Sequence, residues 1–127
     1  MARDQVTSMR SLAALLLLGA FLLSGCQSAR PLYYWGNYEN VTYLGYSKPD
    51  KATLEFQLQQ LQEDVAKAAA THATPNPGLH AQLGYVSYQL GRVDDALREF
   101  ETEKSIFPES APFMDRMIAR TKGGQSK

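Results

Sequence analysis

The spacing of apolar residues predicts an amphipathic helix over residues 50–71. Apolar side chains recur there every three or four positions, which places them along one side of a helix. Ser47, Pro49 and Asp50 are typical of a helix start, with a capping serine, a proline in the first turn and an acid. The apolar positions are Leu54, Leu58, Leu61, Val65 and Ala68. The opposite face is expected to be solvated and carries Gln57, Gln59, Gln62, Glu63 and Lys67.

Two further apolar stripes predict a helical hairpin over residues 77–110. Gly91 and Arg92 separate the stripes, and helices joined by so short a turn must lie antiparallel. Gly84 and Ala96 lack bulk, so they allow the two backbones to approach closely. His80 is expected to be a packing residue rather than a ligand. The stripes are Leu79, Leu83, Val86 and Leu90, then Val93, Ala96, Leu97, Phe100 and Phe107.

This hairpin resembles a tetratricopeptide repeat, a helical pair of about 34 residues. His80, Ser87 and Glu103 depart from the repeat's usual residues. A single repeat cannot bury both of its faces, and solenoids of this type need about three. We therefore expect a short helix in 37–46 before helix 50–71, and a capping helix over 112–120 after the hairpin. The residues that carry the resemblance are Leu83, Gly84, Gly91, Ala96, Phe100 and Pro108.

The N-terminal region contains an uncharged apolar run over residues 12–23. It is too short to cross a bilayer, which takes about 20 helical residues, and it is typical of a secretory signal. Leu23-Ser24-Gly25-Cys26 follows and resembles the lipobox of bacterial lipoproteins. The resemblance implies cleavage before Cys26, a diacylglycerol on its thiol and an N-acyl chain on its new amino group. An ordinary secretory signal or an uncleaved anchor is the alternative.

These patterns predict a division of the chain into four parts. Residues 1–25 are a lipoprotein signal peptide, and 26–36 are the lipidated N-terminus and a linker. Residues 37–121 form an all-α, tetratricopeptide-like domain, with about four to five helices in the mature chain, and 122–127 are a flexible tail. Gln27 follows the cysteine, where an aspartate would imply retention at the inner membrane in enterobacteria. We therefore expect anchoring in the outer membrane, with the periplasmic face favoured.

Composition and charge exclude several classes of function. The 13 Lys and Arg residues balance 13 Asp and Glu residues, so the basic excess of a nucleic-acid binder is missing. One cysteine and two histidines do not supply the ligands of a typical zinc site. The acids are expected on solvated faces, and the sequence has neither a Gly-x-Ser-x-Gly motif nor a phosphate-binding glycine loop. We expect no enzyme, no metal and no cofactor beyond the lipid on Cys26. The acids of the hairpin's second helix are Asp94, Asp95, Glu99, Glu101 and Glu103.

Aromatic residues supply the candidate binding positions. A dense group early in the mature chain could line a groove or seal one end of the core. On the helix predicted over 78–90, Ala81, Tyr85 and Tyr88 form a stripe of small and aromatic residues. These three, with Gln89 and Trp35, are our candidates for partner contact, and packing against helix 50–71 is the alternative. The early group is Tyr33, Tyr34, Trp35, Tyr38, Tyr43 and Tyr46.

Three segments of the chain resemble a family of short bacterial lipoproteins, the domain-of-unknown-function 4810 family. The segments begin at Leu32-Tyr33-Tyr34-Trp35, Pro108-Glu109-Ser110 and Phe113-Met114-Asp115-Arg116. The resemblance covers about 32–120 and implies an envelope partner, such as a lipoprotein similar to the curli secretion channel. We therefore predict a lipid-anchored, non-catalytic interaction module, accessory to an outer-membrane or secretion-associated protein. The alternative is a lipoprotein that binds peptidoglycan or another glycan through its Tyr/Trp-rich segment.

Overall fold

The computed structural model describes residues 31–124, so the predicted signal peptide and Cys26 lie outside the described residues. Within this range the chain forms five α-helices and no strand, which confirms the all-α prediction. A single bridge joins Tyr34 to Pro75. The helices are α1 (Tyr38–Ser47), α2 (Leu54–Ala70), α3 (Leu79–Gln89), α4 (Val93–Ile106) and α5 (Ala111–Gly124), with a 3₁₀ turn at Pro108–Ser110.

Each helix packs against the next one along the chain, and two apolar clusters hold the stack together. Most residues of the predicted stripes are buried, because their side chains face neighbouring helices, and the others are partly buried. The first cluster joins α1, α2 and α3 through Val41, Leu58, Leu61, Leu79, Leu83 and Val86. The second joins α4 and α5 through Ala96, Phe100, Met114 and Ile118.

The predicted helix start at Ser47 is wrong. Ser47 is the last residue of α1, and its hydroxyl donates to the Tyr43 carbonyl at 2.8 Å. Proline disfavours helical backbone in the residue before it, so Pro49 ends α1 instead of beginning α2. α2 begins at Leu54, where Thr53 caps it by accepting the Phe56 N–H at 3.3 Å.

The predicted hairpin is confirmed and consists of α3 and α4. A Cβ atom on Gly84 would lie 2.7 Å from the Phe100 ring and 3.1 Å from the Ala96 carbonyl oxygen. The glycine thus permits the close approach of the two helices. Gly91 occupies the turn with φ of +74°, a conformation that other residues rarely adopt.

The pair α1 and α2 repeats the same contact. Leu44-Gly45-Tyr46 on α1 corresponds to Leu83-Gly84-Tyr85 on α3. The same number of residues separates Gln57 on α2 from Ala96 on α4. A Cβ on Gly45 would lie 2.5 Å from the Gln57 side chain. Gln57, which was expected to be solvated, is therefore buried, and its amide donates to the Ala52 carbonyl at 2.8 Å.

The helical domain was predicted to end at residue 121, but α5 extends to Gly124. Thr121 is buried, and a Cβ on Gly124 would lie 3.1 Å from the Tyr88 hydroxyl of α3. Packing against α3 therefore includes the first residues of the predicted tail.

We expect Gly84→Ala to lower the free energy of unfolding, because overpacking at the α3–α4 contact costs about 1–3 kcal/mol. The helix propensity of alanine returns only about 0.5–1 kcal/mol of this. Gly123→Ala is the matched control, because nothing lies within 4 Å of its added Cβ, and it should be neutral or stabilising. Urea unfolding of both variants measures the effect. Equal stabilisation by both substitutions would contradict the close contact.

Candidate functional site

Two surface grooves run along the two sides of α3 and share Gln82 and Tyr85. The α3–α5 groove encloses about 580 Å³ and the α1–α3 groove about 440 Å³, both in the range of ligand-binding clefts. The α3–α5 groove is lined by Tyr38, Gly78, Ala81, Gln82, Tyr85, Phe100, Glu103, Ser110, Phe113, Met114, Met117 and Arg120. The α1–α3 groove is lined by Thr42, Gly45, Tyr46, Pro49, Ala52, Leu54, Gln57, Gln82, Tyr85 and Gln89.

The structure places the five candidate contact residues in three different settings. Ala81 and Tyr85 line the α3–α5 groove, while Tyr85 and Gln89 line the α1–α3 groove. Tyr88 packs against the second core cluster, on α4 and α5 rather than on α2. Trp35 is half exposed, and its ring centroid lies 6.3 Å from that of Tyr38. Trp35 lines neither groove, whereas Tyr38 lines the α3–α5 groove.

The early aromatic group divides between core and surface. Tyr34 fixes the segment before α1, because its N–H donates to the Thr74 carbonyl at 2.8 Å and its carbonyl accepts the Asn76 N–H at 3.1 Å. The Tyr33 ring meets Phe107 edge-on at 5.9 Å. By contrast, Tyr46 is 92% exposed and lines the α1–α3 groove. Some members of the aromatic group are thus placed to seal the core, whereas others are placed to line a groove.

Two acidic residues correct the expectation that the acids are solvated. Asp64 on α2 and Glu103 on α4 are 0% and 3% exposed. Asp64 accepts the Asn37 N–H at 2.7 Å and the Asn37 side-chain amide at 3.3 Å. Glu103 accepts the N–H groups of Gly78 at 2.7 Å and Ala81 at 3.3 Å.

Each of these carboxylates caps the first helix of its hairpin from the second helix. The N-terminus of a helix leaves N–H groups without partners and carries partial positive charge, so a carboxylate is favourable there. Asn37 and Gly78 occupy the capping positions of α1 and α3 and form no side-chain cap of their own. Asp64 and Glu103 also occupy equivalent positions under the offset that relates the two hairpins.

The sequence contains a signal for these caps, because each acid occupies a position where the helical pattern predicts an apolar residue. Asp64 follows Leu61 by one helical turn, and Glu103 follows Phe100 in the same way, so both acids lie within the apolar stripes. Gly36 makes room for Asp64, because a Cβ on that residue would overlap the carboxylate. Periodicity alone therefore places each acid on the buried side of its helix, but it does not identify the N–H groups that the acid accepts.

Burial changes the acid–base behaviour of two groups at these caps. Desolvation raises the pKa of Asp64 above its ordinary value, and hydrogen bonds from Asn37 oppose this shift. Desolvation likewise raises the pKa of Tyr38, assisted by the negative charge of Glu103. Tyr38 and Glu103 both line the α3–α5 groove.

His80 is buried, as expected for a packing residue, and its Nδ1 lies 2.7 Å from a carboxylate oxygen of Glu99. Over residues 31–124 no group of three or more His, Cys, Asp or Glu side chains is arranged to hold a metal ion. None of the helices in this range is both long enough and apolar enough to cross a membrane.

Comparison with known proteins identifies one family. The family model described as "Domain of unknown function (DUF4810)" matches residues 32–117. These residues include the whole of α1 to α4, and therefore all of the α3 residues that line the two grooves. No curated protein and no solved structure matches the chain.

We expect the stability of the protein to depend on pH through Asp64, with a sign opposite to that of most carboxylates. Because its pKa is raised in the folded state, the native state binds more protons than the unfolded state between the unfolded and folded pKa values. Stability therefore falls as pH rises through that window. Asp64→Asn removes this titrating group. The free energy of unfolding of the variant minus that of the unmodified protein should therefore increase as pH rises from about 4. Urea unfolding across this range measures the difference, and a decrease with pH would contradict the burial argument.

Proposed function

The chain belongs to the DUF4810 family, and from this membership we propose that it is a lipid-anchored, non-catalytic interaction module of the bacterial cell envelope. The lipobox-like segment ending at Cys26 supports the anchor. Two or more acyl chains on that residue would make attachment durable, whereas one chain holds a protein only marginally. Gln27 supports anchoring in the outer membrane, and we place the protein on the periplasmic face of that membrane.

The adjoining grooves on α3 carry the proposal that the module binds another protein. Tyr46, Tyr85 and Phe113 are exposed to 92%, 43% and 53% along these grooves. Exposed apolar and aromatic side chains beside a cleft are typical of protein interfaces, where tyrosine often supplies much of the binding energy. The first helices of tetratricopeptide-like repeats line a concave binding face, and α1, α3 and α5 occupy that role in this proposal.

Partner contact is assigned to Ala81, Tyr85 and Gln89 along the grooves, with Trp35 acting through Tyr38. Tyr88 is assigned to packing, because it contacts the second core cluster and lines neither groove. The family resemblance implies that the partner is an envelope protein, such as a lipoprotein similar to the curli secretion channel. No catalytic role is assigned, and the buried acids Asp64 and Glu103 serve as helix caps.

A second candidate function is glycan binding, and the α1–α3 groove favours it. All of the residues that line this groove are uncharged, and they include the tyrosines Tyr46 and Tyr85 and the amides of Gln82 and Gln89. Rings that stack and amides that hydrogen-bond suit a neutral sugar or a muropeptide. Within the Tyr/Trp-rich segment, this alternative assigns the glycan contact to Tyr46.

A photo-crosslinking residue placed at Gln89 should capture one envelope protein in the source cell. The same group at Arg98, which is exposed on α4 outside the grooves, should not capture it. Tyr85→Ala should reduce capture about tenfold or more, which is the loss expected for an interface anchor worth at least 1.4 kcal/mol. Tyr43→Ala is the control, because Tyr43 is 65% exposed and lines neither groove. Equal capture from both positions would contradict the proposal, and capture of muropeptides alone would favour the glycan alternative.

The anchor has its own test. Mass spectrometry of the protein purified from the source cell should show an N-terminus at Cys26, with one diacylglycerol and one further acyl chain. Cys26→Ser should abolish both modifications and release the protein from the membrane fraction. An N-terminus at Met1, or an unmodified thiol at Cys26, would contradict lipid anchoring without affecting the grooves.

A further inference from the structure

Glu103 places a buried negative charge on the floor of the α3–α5 groove. It is 3% exposed, and its oxygens accept the N–H groups of Gly78 and Ala81 at the start of α3. Among residues 31–124, no Lys, Arg or His side chain forms an ion pair with it. The helix N-terminus offsets part of the cost of burying the charge. A cation from outside the chain would offset more of the cost of burying this charge.

The groove around Glu103 suits a cation that has an apolar stem. A carboxylate has about four lone-pair sites, and the two N–H groups leave some of them for a ligand donor. The rings of Tyr38, Tyr85 and Phe113 line the same groove and attract cations through their faces. Met117 adds apolar wall. Burial, and to a lesser degree the negative charge of Glu103, raises the pKa of Tyr38, which lines the same groove.

We propose that the α3–α5 groove binds its partner through a lysine or arginine side chain that pairs with Glu103. The aliphatic stem of such a residue lies along apolar surface while its charged end reaches a polar group, which matches apolar walls above a carboxylate floor. This inference rests on the proposed function, in which the grooves bind a partner protein, and it specifies the chemistry of that partner. The recognised segment is basic at one position and apolar on either side of it.

Arg120 makes the sign of the ligand's charge testable. It lines the same groove but is exposed, and an exposed charge interacts weakly with a ligand because water screens it. The buried charge of Glu103 acts in a lower dielectric and therefore dominates. A basic segment is attracted by Glu103 and repelled by Arg120, whereas an acidic segment experiences the reverse.

Asp64 provides a matched control for the structural role of Glu103. Both acids are buried and both cap the first helix of a hairpin from the second, but Asp64 lines neither groove. Loss of a helix cap therefore affects both variants, whereas loss of a binding group affects only Glu103.

The experiment titrates the full chain with three peptides, acetyl-Leu-Leu-Lys-Leu-Leu-amide and its analogues with norleucine or glutamate in place of lysine. NMR follows the backbone amide signals of Gly78 and Ala81. The lysine peptide should bind about tenfold or more tightly than the norleucine peptide, as expected for a close charge pair in a partly buried site. Glu103→Gln should abolish this preference, Asp64→Asn should retain it, and Arg120→Gln should strengthen binding of the lysine peptide.

Three results would overturn the inference. Equal binding of the lysine and norleucine peptides would show an apolar groove without charge recognition. Tighter binding of the glutamate peptide, weakened by Arg120→Gln, would show an acidic ligand. Binding of none of the peptides would show that the groove is not a site of this kind. If Glu103→Gln fails to fold, the peptide series and Arg120→Gln still decide the outcome. Crosslinking from Gln89 reports separately on the proposed function, which survives if only the charge preference is absent.

Discussion

The start of each short helix depends on a carboxylate supplied by the helix that follows it. α1 has 10 residues and α3 has 11, and helices shorter than about 12–15 residues are marginal in water on their own. Neither has a side-chain cap from its own first residues. Asp64 and Glu103 satisfy these N–H groups across the hairpin instead, so the caps and the tertiary packing form together.

This arrangement determines where the surface is available for binding. Gly45 and Gly84 bring the second helix of each pair against one side of the first, and the carboxylate caps fix the relative position of the two helices along their length. Tyr46 and Tyr85, the residues directly after these glycines, line grooves on the same first helices. α5 adds Phe113 and Met117 to the groove on the other side of α3. A repeated structural arrangement thus produces a repeated aromatic surface, and of the two capping carboxylates Glu103 lines a groove whereas Asp64 does not.

The helices that follow from periodicity were predictable, whereas the contacts that polar groups make were not. The stripe from Leu58 to Ala68 and the turn at Gly91 defined α2 and the α3–α4 hairpin directly. The start of α2 was missed because a Ser-x-Pro segment fits both a helix start and a helix end, and Thr53 decides between them. Asp64 was missed because its partner, Asn37, lies 27 residues earlier in the chain. The candidate contact residues lie in different settings, because Tyr88 and Tyr85 point from one helix toward different neighbours. The spacing of residues along the sequence does not determine which neighbour each side chain meets.

Native-state hydrogen exchange at the Asn37 amide tests the capping account most directly. In the unmodified protein this amide should be protected by its bond to Asp64. Asp64→Ala should accelerate its exchange about 10- to 100-fold, corresponding to the 1–3 kcal/mol cost of leaving a partly buried donor unpaired. The Gly78 amide, which Glu103 holds, should keep its protection in the same variant. Unprotected exchange at Asn37 in the unmodified protein, or exchange unaffected by the substitution, would contradict the account.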